Sequence, residues 1–187
     1  AFTFAFKETP WGWFNLHAYQ FNEEWATFIV ETPEETWLKA GIDKMEPEES
    51  IAFCEKLFAD MLDGNRLISN ATHLRGSAVW LKFNRVLCER WYNGNVVLMG
   101  DAAHTAHFAI GSGTKLAIDD GIELARQFER IGHDAKHIPQ VLEAYEDIRR
   151  IDVARIQNAA RNAMEWFEVV GRRYADTLDP EQFMSVS

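Results

Sequence analysis

Residues 96–113, VVLMGDAAHTAHFAIGSG, decide how the rest of the chain is read. Four apolar residues, Val96 to Met99, run straight into Gly100 and Asp101. Such a run fits a strand covered on both faces, and a buried helical segment carries the same signature. A loop of small residues with His104 and His107 follows, and then Gly111 and Gly113 stand ahead of a helical pattern. An acid just past a strand end accepts hydrogen bonds from sugar or polyol hydroxyls. Glycines let a ligand approach the backbone closely, and the free donors of a helix start suit a phosphate, a carbonyl oxygen or another anionic group. The same features also describe a plain strand-to-helix turn whose acid caps backbone donors.

Several other chemistries do not fit this loop. Lys115 follows glycine and threonine in an order that is not the phosphate loop's, and no glycine-rich dinucleotide fingerprint opens a Rossmann unit here. His104 and His107 are three apart and invite zinc, with His17 and His73 as distant partners, but no short ligand pattern supports a metal site, and none is expected. Ser112, in GSG, lacks the nucleophile-elbow pattern. Asp101 with His104 does not by itself make a catalytic pair.

Upstream, Asn93 and Gly94 mark a turn before a strand over 95–99, and residues 77–89 read as one or two further strands. Near the start, aromatic and β-branched patterning predicts strands over 2–7, 13–19 and 25–31, joined as hairpins into an antiparallel sheet. Thr32 then caps a helix with Pro33 at its first position, ending at Gly41. A second helix starts near Pro47, carries Ile51, Cys54, Phe58 and Met61 at helical spacing, and ends at Asp63 and Gly64. Cys54 reads as a small core thiol. Downstream, helices are predicted over 115–128 and over 138–173, the latter with room for one break, and the tail beyond Asp176 as loose. Arg149, Arg150, Arg155 and Arg161 alternate with acids and read as a solvated or salt-linked face, with contact to a ligand phosphate as the other use.

The chain has 187 residues and a formal net charge of -10, which argues against nucleic acid or an anionic membrane as a default partner. No apolar run reaches membrane-spanning length, and no cleavable signal segment is visible. Cys54 and Cys88 are the only cysteines, so a reducing, cytoplasmic setting is expected. Residues 1–21, AFTFAFKETPWGWFNLHAYQF, begin without methionine and already in strand pattern, as expected either of a chain entered in mid-fold or of a processed end.

The longer run RWYNGNVVLMGDAAHTAHFAIGSGTKLAIDDGIELARQF resembles the second FAD-binding motif of the class A flavoprotein aromatic hydroxylases, the group related to para-hydroxybenzoate hydroxylase. Arg90 and Trp91 precede the turn, Gly100 and Asp101 end the strand, and the paired glycines precede a helix containing Asp120. The residues GDAAHTAHFAIGSGTKLA and YEDIRRIDVARIQNAARNAMEWFE resemble, more closely than the wider family, the aryl-coenzyme A hydroxylases that act on salicylyl-CoA or 2-aminobenzoyl-CoA. Phe108 stands where many members of the wider family have proline, and Lys115 where many have asparagine; both departures favour this narrower subgroup.

The resemblance implies an α+β fragment of a two-domain FAD-dependent hydroxylase: an antiparallel substrate-domain sheet, then the C-terminal strand and helices of the FAD-binding domain. Residues 1–90 would belong to the substrate-binding part, 91–131 to the FAD-binding strand, loop and helix, and 132–187 to a C-terminal helical region. It implies that Asp101 holds the ribityl hydroxyls, and that Gly100, Gly111, Ser112, Gly113, Thr114 and Lys115 form the rest of the cofactor site. His107 becomes the catalytic candidate, positioning substrate. Trp13, Phe14, His17 and Trp80 are pocket candidates with core packing as the competing role. The implied reaction uses NADH or NADPH and O2, through a flavin C4a-hydroperoxide, to hydroxylate the ring of an aromatic acyl-CoA. The ADP-binding fingerprint and the NAD(P)H motif of the family are missing, so a middle-to-C-terminal fragment, inactive alone, is expected. A homodimer is left open. Two other readings stand beside this one: a noncatalytic flavin-fold interaction protein, and an oxidoreductase of geranylgeranyl-reductase type.

Overall fold

The computed structural model describes residues 2–69 and 80–173. His73, the start of the segment expected to be extended from Ser77, and the tail beyond Asp176 lie outside them. The protein is α+β, with small antiparallel sheets and helices, and it divides into two compact units: residues 1–82 with 167–187, and residues 83–166.

In the first unit, β1 (Phe2–Thr9), β2 (Gly12–Gln20) and β3 (Ala26–Glu31) form an antiparallel sheet in the order β1-β2-β3. Its register aligns Ala5 with Leu16 and Leu16 with Val30, so small and branched residues share one face. That face packs on α1 (Glu34–Lys39) and α2 (Pro47–Leu57) around Phe14, Leu16, Ile42 and Phe58. The opposite face carries Phe4, Asn15, His17 and Glu31; His17 Nε2 lies 3.0 Å from Glu31, and Asn15 donates to the Phe167 carbonyl at 2.9 Å. Short α3 (Ala59–Leu62) follows a break at Phe58.

The predicted cap at Thr32 is not formed. The Thr32 hydroxyl donates instead to the Trp13 carbonyl at 2.9 Å, locking the sheet edge, and Pro33 stands one position before the helix. At α2 the Glu49 carboxylate accepts from the Glu46 backbone N–H at 3.0 Å, as a capping box does.

In the second unit, β4 (Tyr92–Asn93) and β5 (Val96–Val97) make a two-stranded hairpin. The longer strand expected over 95–99 is therefore shortened. Val96 stands largely exposed, and the chain leaves the ladder after Leu98 donates to the Trp91 carbonyl at 2.7 Å. The residues described from 80 to 89 are also not regular strand. Val86 bonds the Thr105 hydroxyl, only Leu87 bridges to His104, and Leu81, Phe83 and Leu87 remain exposed. Two helices complete the unit. Helix α4 (Gly113–Ile131) starts two residues earlier than expected, and α5 (Ile138–Arg173) is one uninterrupted helix of 36 residues. Trp91, Ala103, Leu116, Tyr145 and Val153 form the shared core.

Candidate cofactor groove

Chain direction reverses between β5 and α4 through two single-turn 3-10 segments, Gly100–Ala102 and Phe108–Ile110. Gly100 has φ 56, and a Cβ there would come within 3.1 Å of the Ala117 Cβ, so the first turn sits directly against α4. An open groove of about 680 Å³ lies on this turn. Its lining brings together Gly100, Asp101, Gly111, Gly113 and Thr114, with Phe108 and Ala117 as apolar wall. Five of the seven residues expected to bind cofactor thus share one surface.

The other candidates sit differently. Ser112 is buried at the N-cap of α4, and its Oγ has no hydrogen-bond partner among the described residues. Lys115 points to solvent and pairs with Asp119 one turn on. His107 Nδ1 accepts from the Ala109 N–H at 3.2 Å, and its ring stacks on Phe108, 4.6 Å between centroids. The imidazole therefore shapes the second turn and backs a groove residue without lining the groove itself. Among the pocket candidates of the first unit, Phe14 and Trp80 belong to the core, Trp80 donating to the Ser50 hydroxyl at 2.6 Å, whereas His17 meets the Phe4 ring edge-on and lies tilted against Phe167.

The groove has the features of a site for a flat, hydroxyl-bearing ligand. A Cβ placed on Gly111 or Gly113 would meet nothing within 4 Å, so the backbone is open to close approach. Among the described residues no side-chain capping bond is found at the Ser112 N-cap of α4, whose first intrahelical bond is Leu116 N–H to the Ser112 carbonyl. The N–H groups of its first turn are left to a carbonyl oxygen or anion. Asp101 supplies an exposed carboxylate acceptor on the same surface.

A profile described as FAD binding domain matches residues 32–160. The chain belongs to the FAD-binding domain family. Salicyloyl-CoA 5-hydroxylase of a Streptomyces species is 40% identical over 97% of this chain. The 3-hydroxy-4-methyl-anthranilyl-(aryl-carrier protein) 5-monooxygenase of Streptosporangium sibiricum is 37% identical over 88% of it. Protodeoxyviolaceinate monooxygenase of Chromobacterium violaceum is 31% identical over 86%. The chain spans 35%, 40% and 40% of the length of these three relatives. In this FAD-binding domain the bare glycine backbone, the uncapped helix start and the orphaned Ser112 hydroxyl fit the family's cofactor.

Beneath the groove lies a cluster that the sequence reading missed. Asp120 is fully buried; its Oδ2 accepts from the Gly100 N–H and from His104 Nε2–H, both at 2.8 Å, and its Oδ1 accepts from Arg149 Nε–H at 2.8 Å. Burial alone would raise this carboxyl, but the bonds from His104, Gly100 and Arg149 outweigh it and hold Asp120 below the ordinary carboxylate range. Burial, and then the Asp120 charge, push the Tyr145 phenol up. Of the solvated or salt-linked face expected for these arginines, Arg149 takes the salt-linked form, buried and paired with Asp120, while Arg150 is half-exposed and pairs with Glu146 at 3.0 Å. A signal was present. Asp120 follows core residue Leu116 by four, and Arg149 falls midway between core residues Tyr145 and Val153. Opposite charges on two apolar stripes announce a buried pair.

Proposed function

We propose that the full-length protein carrying this chain is an FAD-dependent monooxygenase that uses NADH or NADPH and O2 to hydroxylate the ring of an aromatic acyl thioester of the aryl-CoA type. The observation that carries the flavin part is the single surface joining the Asp101 carboxylate to the bare, uncapped start of α4. In this reading Asp101 accepts from ribityl hydroxyls. Gly111, Ser112, Gly113 and Thr114 present backbone to the edge of the ring, and the positive end of a 19-residue helix favours negative charge there. Lys115, on the same first turn, would reach the ligand only by leaving its pair with Asp119. FAD, once reduced, supplies the activation of O2 that protein side chains lack. The protein's own work is to bind, to orient and to exclude water.

His107 is the residue we assign to substrate positioning, from a loop whose backbone it already shapes. Residues 1–90 would supply part of the substrate-binding sheet, 91–131 the FAD-binding strand, loop and helix, and 132–187 the C-terminal helical region. The ADP half of the cofactor would be held by parent sequence beyond this chain. The thioester class is supported by two relatives' names, one a salicyloyl-CoA hydroxylase and the other acting on an aryl group of a carrier protein.

The test is to purify the full-length protein, release and identify its flavin, and supply salicyloyl-CoA and 2-aminobenzoyl-CoA with NADH or NADPH under 18O2. We expect released FAD and one 18O atom in the ring of the product. A flavin-free protein would leave a binding role. A yellow protein that reduces an alkene, without incorporating oxygen into any aryl thioester, would point to the reductase class.

A further inference from the structure

The Asp101 carboxylate, the charged group of the groove, is exposed, and no hydrogen bond to it is found among the described residues. Its position is therefore set by the backbone of the turn that carries it. That turn runs from Gly100 to His104, with the Ala103 and His104 N–H groups both donating to the Gly100 carbonyl at 2.9 Å. Its two ends meet on one atom: Asp120 Oδ2 accepts from the Gly100 N–H and from the His104 ring. The remaining oxygen is held from α5 by Arg149. Both carboxylate oxygens are thus fixed, by three donors from two segments of the chain, the turn and α5.

We propose that Asp120 is a positioning residue for the bound cofactor: from beneath the groove its carboxylate clamps both ends of the Gly100–His104 turn and so sets where Asp101 meets the ligand. The inference rests on the flavin reading of the groove and adds a buried residue to it. The chemistry demands a carboxylate at position 120. All three partners are donors, and an amide offers one acceptor oxygen where two are needed. In Asp120→Asn either Arg149 or the Gly100–His104 pair must face an N–H group. The buried guanidinium, whose Nη2 already has no partner among the described residues, would then also lose its nearer and buried counter-charge, with only the half-exposed Asp152 left at 3.5 Å.

The experiment uses the full-length protein, stripped of flavin and titrated with FAD. Melting temperature of the apoprotein and visible circular dichroism of the bound flavin are recorded in parallel. Asp120→Asn should weaken FAD binding by about tenfold to a hundredfold, the range of a lost charge-assisted bond, and should change the flavin dichroism. His104→Ala should act in the same direction. His104→Gln, which keeps a donor near the Nε2 position, should recover most of the affinity. Val141→Ala opens a space at a buried site outside the core around the turn; it should lower the melting temperature while leaving FAD affinity within about twofold. The proposal is overturned if Asp120→Asn binds FAD as tightly as the parent sequence, or if Val141→Ala loses as much affinity for the same loss of melting temperature. If Asp120→Asn does not fold, the pair His104→Ala and His104→Gln decides, and equal affinities for those two overturn it. Asp101→Ala separates the two levels: if it leaves FAD binding unchanged, the flavin reading of the groove fails, and the positioning role falls with it.

Discussion

Asp120 also couples the second unit to pH. Its folded carboxyl lies below the ordinary range, so the unfolded chain holds the proton more tightly than the folded one. The stabilisation is complete above the unfolded value, about pH 4, and is lost as pH falls from there through the lower folded value. Breaking a buried pair of this kind costs about 3–5 kcal/mol. We therefore expect Asp120→Asn to melt well below the parent sequence at about pH 6, with the gap closing toward about pH 3 as the native carboxylate is protonated. Thermal melts across that range check it, and a gap independent of pH would contradict the ion-pair account. At this scale the sequence was only half legible. Asp101 declared itself by following a strand. Asp120 and Arg149 did not, because a charge within a charged helix reads as solvent-facing until its position against the apolar stripe is examined.

Among the elements, the turn between β5 and α4 makes different demands on its two left-handed glycines. Gly100 (φ 56) has Ala117 where a methyl would go, whereas Gly111 (φ 62) has open space. Both replacements by alanine incur about 1–2 kcal/mol of backbone strain, but only the first adds a steric conflict with α4. Gly100→Ala should therefore lower the melting temperature more than Gly111→Ala. Gly111→Ala, altering a residue of the groove wall, should change FAD affinity by more than its stability loss explains. Melting curves and flavin titrations on the two variants separate these effects. Elements with long periodic patterns were readable to within a residue or two for β1 to β3 and for the full extent of α5, whereas α4 runs three residues past its expected end and the single helix expected from Pro47 to Asp63 breaks at Phe58 into α2 and α3. The strand over 95–99 was not, because four apolar residues signal burial without specifying a hydrogen-bond partner. Here Leu98 and Met99 pack beneath the turn while Val96 stays exposed.

For the whole molecule, membership of the FAD-binding domain family rests on a profile match that runs through residues 32–160, and the groove lies in the second of the two compact units. Ligand binding stabilises only the conformations that bind, by about 2.7 kcal/mol at a hundredfold excess over the dissociation constant. In the full-length protein FAD should then slow amide exchange at residues 99–116 by up to about a hundredfold, while leaving α2 of the first unit near its unliganded rate. Hydrogen–deuterium exchange with and without FAD reads this directly, and protection confined to α2 would move the cofactor away from the groove.

Trp91 adds a consequence of another kind. Its indole is buried 4.9 Å from the His104 ring, against the same hydrogen-bonded cluster that underlies the groove. Indole emission is sensitive to a neighbouring imidazole and overlaps the absorption of an isoalloxazine. The protein therefore contains its own optical reporter: subtracting the spectrum of a Trp91→Phe variant isolates one fluorophore whose brightness registers both the state of the turn and the arrival of a yellow ligand above it.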